Sequence, residues 1–351
     1  MSYLYYNAYY LFMHSMLCIH GSIGTGCDRV RSAIVTPIDI NNGGQRRYWR
    51  KFGRRLKSNW ELYLIIAVPF IWLLVFHYYP MYGVQIAFKK FVAVRGIANS
   101  PWVGFDYFTK FFNSFNFKTV ITNTLALSLY DLILGFPFPI ILALLLNNCL
   151  KPTYKKFTQI ITYMPYFIST VVLVGVIIQF TSPKVGLINY AIKGLGFNEI
   201  DFMGVPSYFR HIYVWTNIWQ GTGWSAIIYL SALAAIDPGL HEAALVDGAN
   251  RFKRMLHIDI PGILPTIAIL LTLRAGQIMN VGFEKAFLMQ NSLNLSASEI
   301  ISTFVYKTGL ASAAPDFSYA AAIGLFNSMI NLILITAVNY VNSKINEVSL
   351  W

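Results

Sequence analysis

Four ionisable side chains stand inside stretches that are otherwise apolar: Asp131, Arg274, Glu284 and Lys285. A charge held at bilayer depth is costly, so each of them needs a partner, water or a polar solute. On one continuous helix Arg274 and Lys285, eleven residues apart, land about 20° from each other at 100° per residue. Gln277 and Glu284, seven apart, are nearly eclipsed as well. The spacing therefore predicts a single polar arc along one span, and the arc has two readings. One is the wall of a hydrated cavity, to which Trp215, Asn217, Trp219 and Gln220 of the preceding span add hydrogen-bonding groups and stacking faces. The other is a lock between helices or subunits, with Asp131 and Glu284 neutralising the cations. Tryptophan also collects at membrane interfaces, which is a second account of Trp215 and Trp219.

Nothing in the sequence points to catalysis on this chain. The histidines (His14, His20, His77, His211, His241, His257) show none of the paired spacing that metal sites use, so no metal site is expected. There is no Gly-x-x-x-x-Gly-Lys-Ser/Thr, so the chain is not expected to cradle nucleotide phosphates itself. The three cysteines, Cys18, Cys27 and Cys149, make no even-numbered framework and read as free thiols.

The elements that must position these side chains are membrane spans. Of 351 residues, 56% are hydrophobic and only 12% charged, and the mean hydropathy is +0.52. Those values exclude an ordinary soluble globular domain. A bilayer core takes about 20 apolar residues as helix. Six stretches qualify: 61–79, 118–147, 157–181, 210–236, 263–289 and 320–343. Gly135, Pro137 and Pro139 predict a kink in the second. The fifth is the least apolar. The formal net charge of +12 sits beside these spans, which favours anionic lipid over nucleic acid as the partner. Residues 1–45 read as an extension whose apolar run, Ala8 to Ile19, is too short to span, without the marks of a signal peptide. Residues 46–59 carry a basic run, Arg46 to Lys57, directly before the first span.

Between the fourth and fifth spans lies a polar island, Asp237 to Pro265. Asp237 before Pro238 reads as a helix N-cap with proline in the first turn. Leu240, Ala243 and Ala244 share a face, and Asp247-Gly248 signals a turn that needs a positive φ. A second short helix follows, with Phe252, Met255 and Leu256 on one side and Arg251, Lys253 and Arg254 on the other. Pro261 is expected to end it. Glu242, Ala243, Ala244, Asp247, Gly248, Ala249, Ile258, Pro261 and Pro265 together resemble the EAA loop of permease subunits in bacterial ATP-binding-cassette importers. The resemblance covers roughly Trp60 to Trp351. Within it, FHYYPMYGVQIAFKKF at 76–91, SPWVGFDYFTKFF at 100–112, YMPYFIS at 163–169, VGFEKAFLMQNSLN at 281–294 and the final SLW are similar to the LplB-like subgroup of carbohydrate permeases.

That resemblance implies an all-α integral membrane fold of six transmembrane helices, residues 60–351, with a cytoplasmic coupling loop at 237–262. It implies import of oligo- or polysaccharides, including acidic ones such as alginate, delivered by an extracytoplasmic sugar-binding protein. It implies a second homologous permease subunit and two ATPase subunits, which would hold the ATP and Mg²⁺; no cofactor is expected here. The arc and its aromatics would then contact sugar. The density of Lys and Arg in short loops places both termini and the EAA loop in the cytoplasm of a bacterial inner membrane. A secondary transporter, marked by internal repeats and unwound mid-membrane helices, and a membrane-bound transferase, marked by clustered acids or histidines at one face, are the competing classes. A copurifying ATPase separates both from an importer.

Overall fold

The computed structural model describes residues 59–345, and within them the chain is helical and carries no strand. The extension 1–45, the basic run and the terminal SLW lie outside the described residues. Among the described residues four helices are long and apolar enough to cross a membrane, and two bent pairs bring the number to six if each pair is one span.

The described residues divide into two units, the first reaching Tyr79 and the second starting at Pro80. In the first, α1 (Trp60–Leu73) carries Pro69 inside it and runs into a π turn over Leu74–Tyr78. The second unit begins with a 3₁₀ segment over Tyr82–Phe88 and α2 (Asp106–Phe112). Next come α3 (Phe115–Asn147), then α4 (Pro152–Tyr163), α5 (Thr170–Thr181) and α6 (Leu187–Gly194). The long α7 (Pro206–Ala234) leads to the short α8 (Pro238–Val246), and α9 covers Arg251–Ala275. The remainder comprises α10 (Phe283–Met289), α11 (Ile301–Tyr306) and α12 (Phe317–Ile345).

Helix α7 is the axis of this unit. Its first half packs Phe209, Tyr213, Val214 and Ile218 against Leu173, Val174 and Ile177 of α5. Its second half packs Ala226, Tyr229 and Leu233 against Ala143 and Leu144 of α3 and Ile263 of α9. Apolar contact between helices gains little in lipid, which is as apolar as leucine, so close approach and polar links matter more. Both are present. At Gly223 of α7 a Cβ would run into the Thr162 carbonyl of α4, so only glycine allows that crossing. Asn342 of α12 donates to Thr272 Oγ1 and to the Ala268 carbonyl (3.0 Å) of α9. Arg210 of α7 donates to Asn123 Oδ1 of α3 at 2.9 Å.

Three expectations change. The kink in α3 is a π turn over Asp131–Gly135; Pro137 and Pro139 each lack an N–H for the ladder, and the widened turn absorbs the loss. The stretch 157–181 is no straight span, because α4 with its 3₁₀ extension meets α5 at 97°. The largest revision concerns 263–289. Pro261 does not end a helix: a π turn at Met255–Asp259 lets α9 pass straight through it. The helix stops instead at Ala275, and turns fill the stretch before α10. There the Met279 amide bonds to Asn331 Oδ1 of α12 (3.1 Å) and so leaves the helical ladder. Arg274 and Lys285 therefore do not share one continuous helix, and the single arc drawn through them is wrong.

Candidate functional site: an ion pair between two clefts

What the broken helix loses as an arc, tertiary packing restores as a cluster. Arg274, in the last turn of α9, places Nη1 3.3 Å from Oδ2 of Asp131 in the π turn of α3. A cation in the last turn of a helix also suits the negative end of the helix dipole. Asn217 of α7 donates from Nδ2 to Asp131 Oδ1 at 3.5 Å. Its Oδ1 accepts from Lys285 Nζ at 2.7 Å. The same ammonium donates to Thr216 Oγ1 at 2.7 Å and to the Tyr213 carbonyl at 3.2 Å, and it lies 5.0 Å from the centre of the Tyr213 ring.

The two cations thus differ in kind. Lys285 is 5% exposed, with its donors directed at α7; it fastens α10 to α7 and fixes which way the Asn217 amide faces. Arg274 is partnered on one side only, and its side chain is 44% exposed. Two clefts share Asp131, Asn217 and Arg274 as lining. The first, about 350 Å³, adds Ser128, Gln277 and Asn280. The second, about 520 Å³, adds Gln220, Ser169 and Tyr166. Ser128 precedes Asp131 along α3 and Tyr213 precedes Asn217 along α7, whereas Gly135 and Ser225 of the second cleft follow them. The ion pair therefore stands between two hollows stacked along the helices, the second nearer α8.

The other candidates fall differently. Gln220 donates to the Ile168 carbonyl at 2.9 Å, tying α7 to the bend between α4 and α5. Trp215 and Trp219 line neither cleft; Trp215 is half exposed and meets Phe138 edge to face at 5.8 Å. Glu284 is exposed and forms no ion pair among the described residues, so Asp131 alone offsets a cation here. Other aromatics do border the clefts, Tyr213 the first and Phe167 and Tyr166 the second; Tyr166 is stacked on Trp224 at 4.6 Å and 4°. Spacing could not find it, because the 97° bend brings it to α7.

The knob holds the shape its sequence implies at its first helix. Asp237 Oδ1 accepts from the Gly239 amide at 2.9 Å. Gly248 sits at φ +74°, and the Ala249 and Gly248 amides bond back to the Ala244 and Leu245 carbonyls at 2.8 and 3.1 Å. That is a Schellman closure, which favours glycine at its turning residue. Asn250 caps the next helix through the Lys253 amide at 2.8 Å. Glu242, Ala243 and Asp247 are exposed, Ala244 and Ala249 half-buried, Pro261 and Pro265 exposed on α9. Around them Leu240, Leu245, Val246 and Phe252 are more than half exposed. These four side chains make an exposed apolar tip on a polar loop.

Bent apolar helices around a part-exposed ion pair, with such a knob at one end, define an integral membrane permease. The chain belongs to the family of binding-protein-dependent transport system inner membrane components, whose model matches residues 135–347. Protein LplB of Bacillus subtilis (strain 168) is 43% identical over 296 residues, 84% of this chain and 92% of that protein. The polygalacturonan/rhamnogalacturonan transport system permease protein YteP of the same organism is 40% identical over 290 residues, 83% of this chain and 90% of that protein. A chain in the crystal structure of a bacterial ABC transporter involved in the import of the acidic polysaccharide alginate superposes with a TM-score of 0.77. It is 38% identical, over 84% of this chain and 99% of that one. A second structure, of a bacterial alginate ABC transporter in complex with an alginate pentasaccharide-bound periplasmic protein, matches with the same score and identity.

Proposed function

We propose that this permease carries acidic oligosaccharides, with Arg274 as the group that meets their carboxylates. The observation that carries the proposal is the one-sided pairing of Arg274 with Asp131 at the boundary of two clefts. A guanidinium has five donors in a planar fork, and a carboxylate accepts two of them in parallel. Asp131 is the internal counter-ion that a uronate carboxylate replaces. Asn217, Gln220 and Gln277 supply hydrogen bonds to hydroxyls, and Tyr166 a face for a sugar ring. The acidic glycans named for the relatives support this class of substrate.

The knob docks on a separate ATPase subunit through Leu240, Leu245, Val246 and Phe252, with Glu242 to Ala249 holding its shape. One knob per chain implies a second, homologous permease and two ATPases, which hold ATP and Mg²⁺; the chain itself needs no cofactor. Nucleotide binding draws the two knobs together and favours the outward-facing state, a shift set by the contacts each state makes. An extracytoplasmic binding protein, as in the complex of the structural relative, supplies the sugar. The loop bias in Lys and Arg supports cytoplasmic knob and termini. Uptake of uronate oligosaccharides by proteoliposomes holding the purified complex tests this: ATP-dependent uptake is expected, and uptake of neutral glycans alone would overturn the acidic assignment.

A further inference from the structure

Beneath the knob opens a third cleft, about 520 Å³, bordered by Asp259, which is 1% exposed. Asp259 closes the π turn of α9. Its Oδ1 faces Nε2 of His241 on α8 at 3.3 Å. Its Oδ2 accepts from Nδ2 of Asn148, the residue just past α3, at 3.3 Å. Arg251, Arg254 and Glu242 are the other charged groups lining the cleft. A buried carboxylate survives desolvation only where it is partnered. Here Asn148 hydrogen-bonds Oδ2, while Oδ1 makes no hydrogen bond among the described residues and faces His241 at ion-pair distance, so one acid touches α8, the end of α3 and the membrane part of α9.

The same two helices carry the pair in the path, Arg274 in the last turn of α9 and Asp131 midway along α3. From Asp259 to Arg274 is fifteen residues of α9, about 22 Å of helix. From Asn148 back to Asp131 is seventeen residues of α3, about 25 Å. Both helices pack on α7 through Ala143, Leu144, Ala226, Tyr229, Leu233 and Ile263. Close-packed helices shift as bodies and do not deform continuously. Each helix is therefore held at two points, Asp259 with Asn148 near the knob and Arg274 with Asp131 between the clefts.

We infer that Asp259 is a positioning residue, the joint through which displacement of α8 is passed along α3 and α9 to the Arg274–Asp131 pair. This rests on the reading of the knob as the ATPase dock. The sequence hides the joint, because Asp259 falls outside the spaced loop pattern and its partners lie 18 and 111 positions away.

The test uses the whole complex in nanodiscs, with a Ser128→Cys reporter in the first cleft. Two quantities are read: ATP hydrolysis with and without substrate-loaded binding protein, and thiol labelling with and without ATP plus vanadate. Asp259→Asn and His241→Phe should keep basal hydrolysis within twofold, lose at least fivefold of the stimulation, and abolish the nucleotide-dependent change in labelling. His241→Gln, which keeps an N–H donor, should retain both responses. Wild-type stimulation and labelling change in both defective variants would overturn the joint, as would His241→Gln failing as badly as His241→Phe. If Asp259→Asn does not assemble, His241→Phe decides alone, because that side chain is 27% exposed and outside the core. Gly248→Val run alongside isolates the dock: full stimulation there removes the docking reading whatever Asp259 does.

Discussion

Arg274 Nη1 lies 3.3 Å from Asp131 Oδ2 although 143 residues separate them, and the pair joins the last turn of one helix to the π turn of another. Both side chains keep part of their surface open, 44% and 26%. A pair this exposed is worth only about 0–1 kcal/mol to stability. It can be parted at little cost, which suits a contact that exchanges partners during passage.

Asp131→Asn removes the internal competitor for Arg274. It should lower the apparent KM for uronate oligosaccharides several-fold and leave assembly intact. A tenfold rise in KM would make Asp131 a direct contact to the sugar instead of a stand-in for its carboxylate.

Lys285 should behave differently from Arg274. Lys285→Ala strips hydrogen bonds from Asn217, Thr216 and Tyr213, each charge-assisted bond contributing roughly 1.5–3 kcal/mol. The complex should melt several degrees lower and transport more slowly, with KM little changed. An altered KM for acidic substrates in a complex of unchanged melting temperature would return Lys285 to the path.

How much of this was legible in the sequence depends on the range of the interaction. The N-cap at Asp237 and the left-handed turn at Gly248 follow from neighbouring residues, and both stand as read. Asp131 and Arg274 were legible as charges demanding an account, and the lock reading set Asp131 and Glu284 against the two cations without saying which acid meets which. The route drawn to them, a shared face with Lys285, needed a helix that Ala275 ends. Pro261 misled for the opposite reason: proline forbids one ladder bond, and the π turn at Met255–Asp259 supplies a way past it. Tyr166 and Asp259 were missed because a 97° bend and two distant partners define them.

The knob gives a sharper prediction. A β-branched residue at φ +74° is strained by about 1–3 kcal/mol. Gly248→Val should insert and assemble, yet lose most substrate-stimulated ATP hydrolysis. Wild-type stimulation in the purified mutant complex would take this loop out of the mechanism.

Orientation is checked by single cysteines in a background where Cys18, Cys27 and Cys149 are serine. Val246, 88% exposed on the knob, and Val94, 97% exposed before α2, are suitable sites. An impermeant thiol reagent outside intact cells should label position 94 and spare position 246. Labelling of 246 alone would invert the topology.

The central claim is that acidic sugar passes Arg274. Its most direct test is ATP-dependent uptake of uronate oligosaccharides by proteoliposomes containing the Arg274→Gln complex, with basal ATP hydrolysis and melting temperature measured on the same preparation. Uptake should fall at least tenfold while hydrolysis and melting temperature stay near wild type. Wild-type uptake of every uronate oligosaccharide by a stable Arg274→Gln complex would contradict the account.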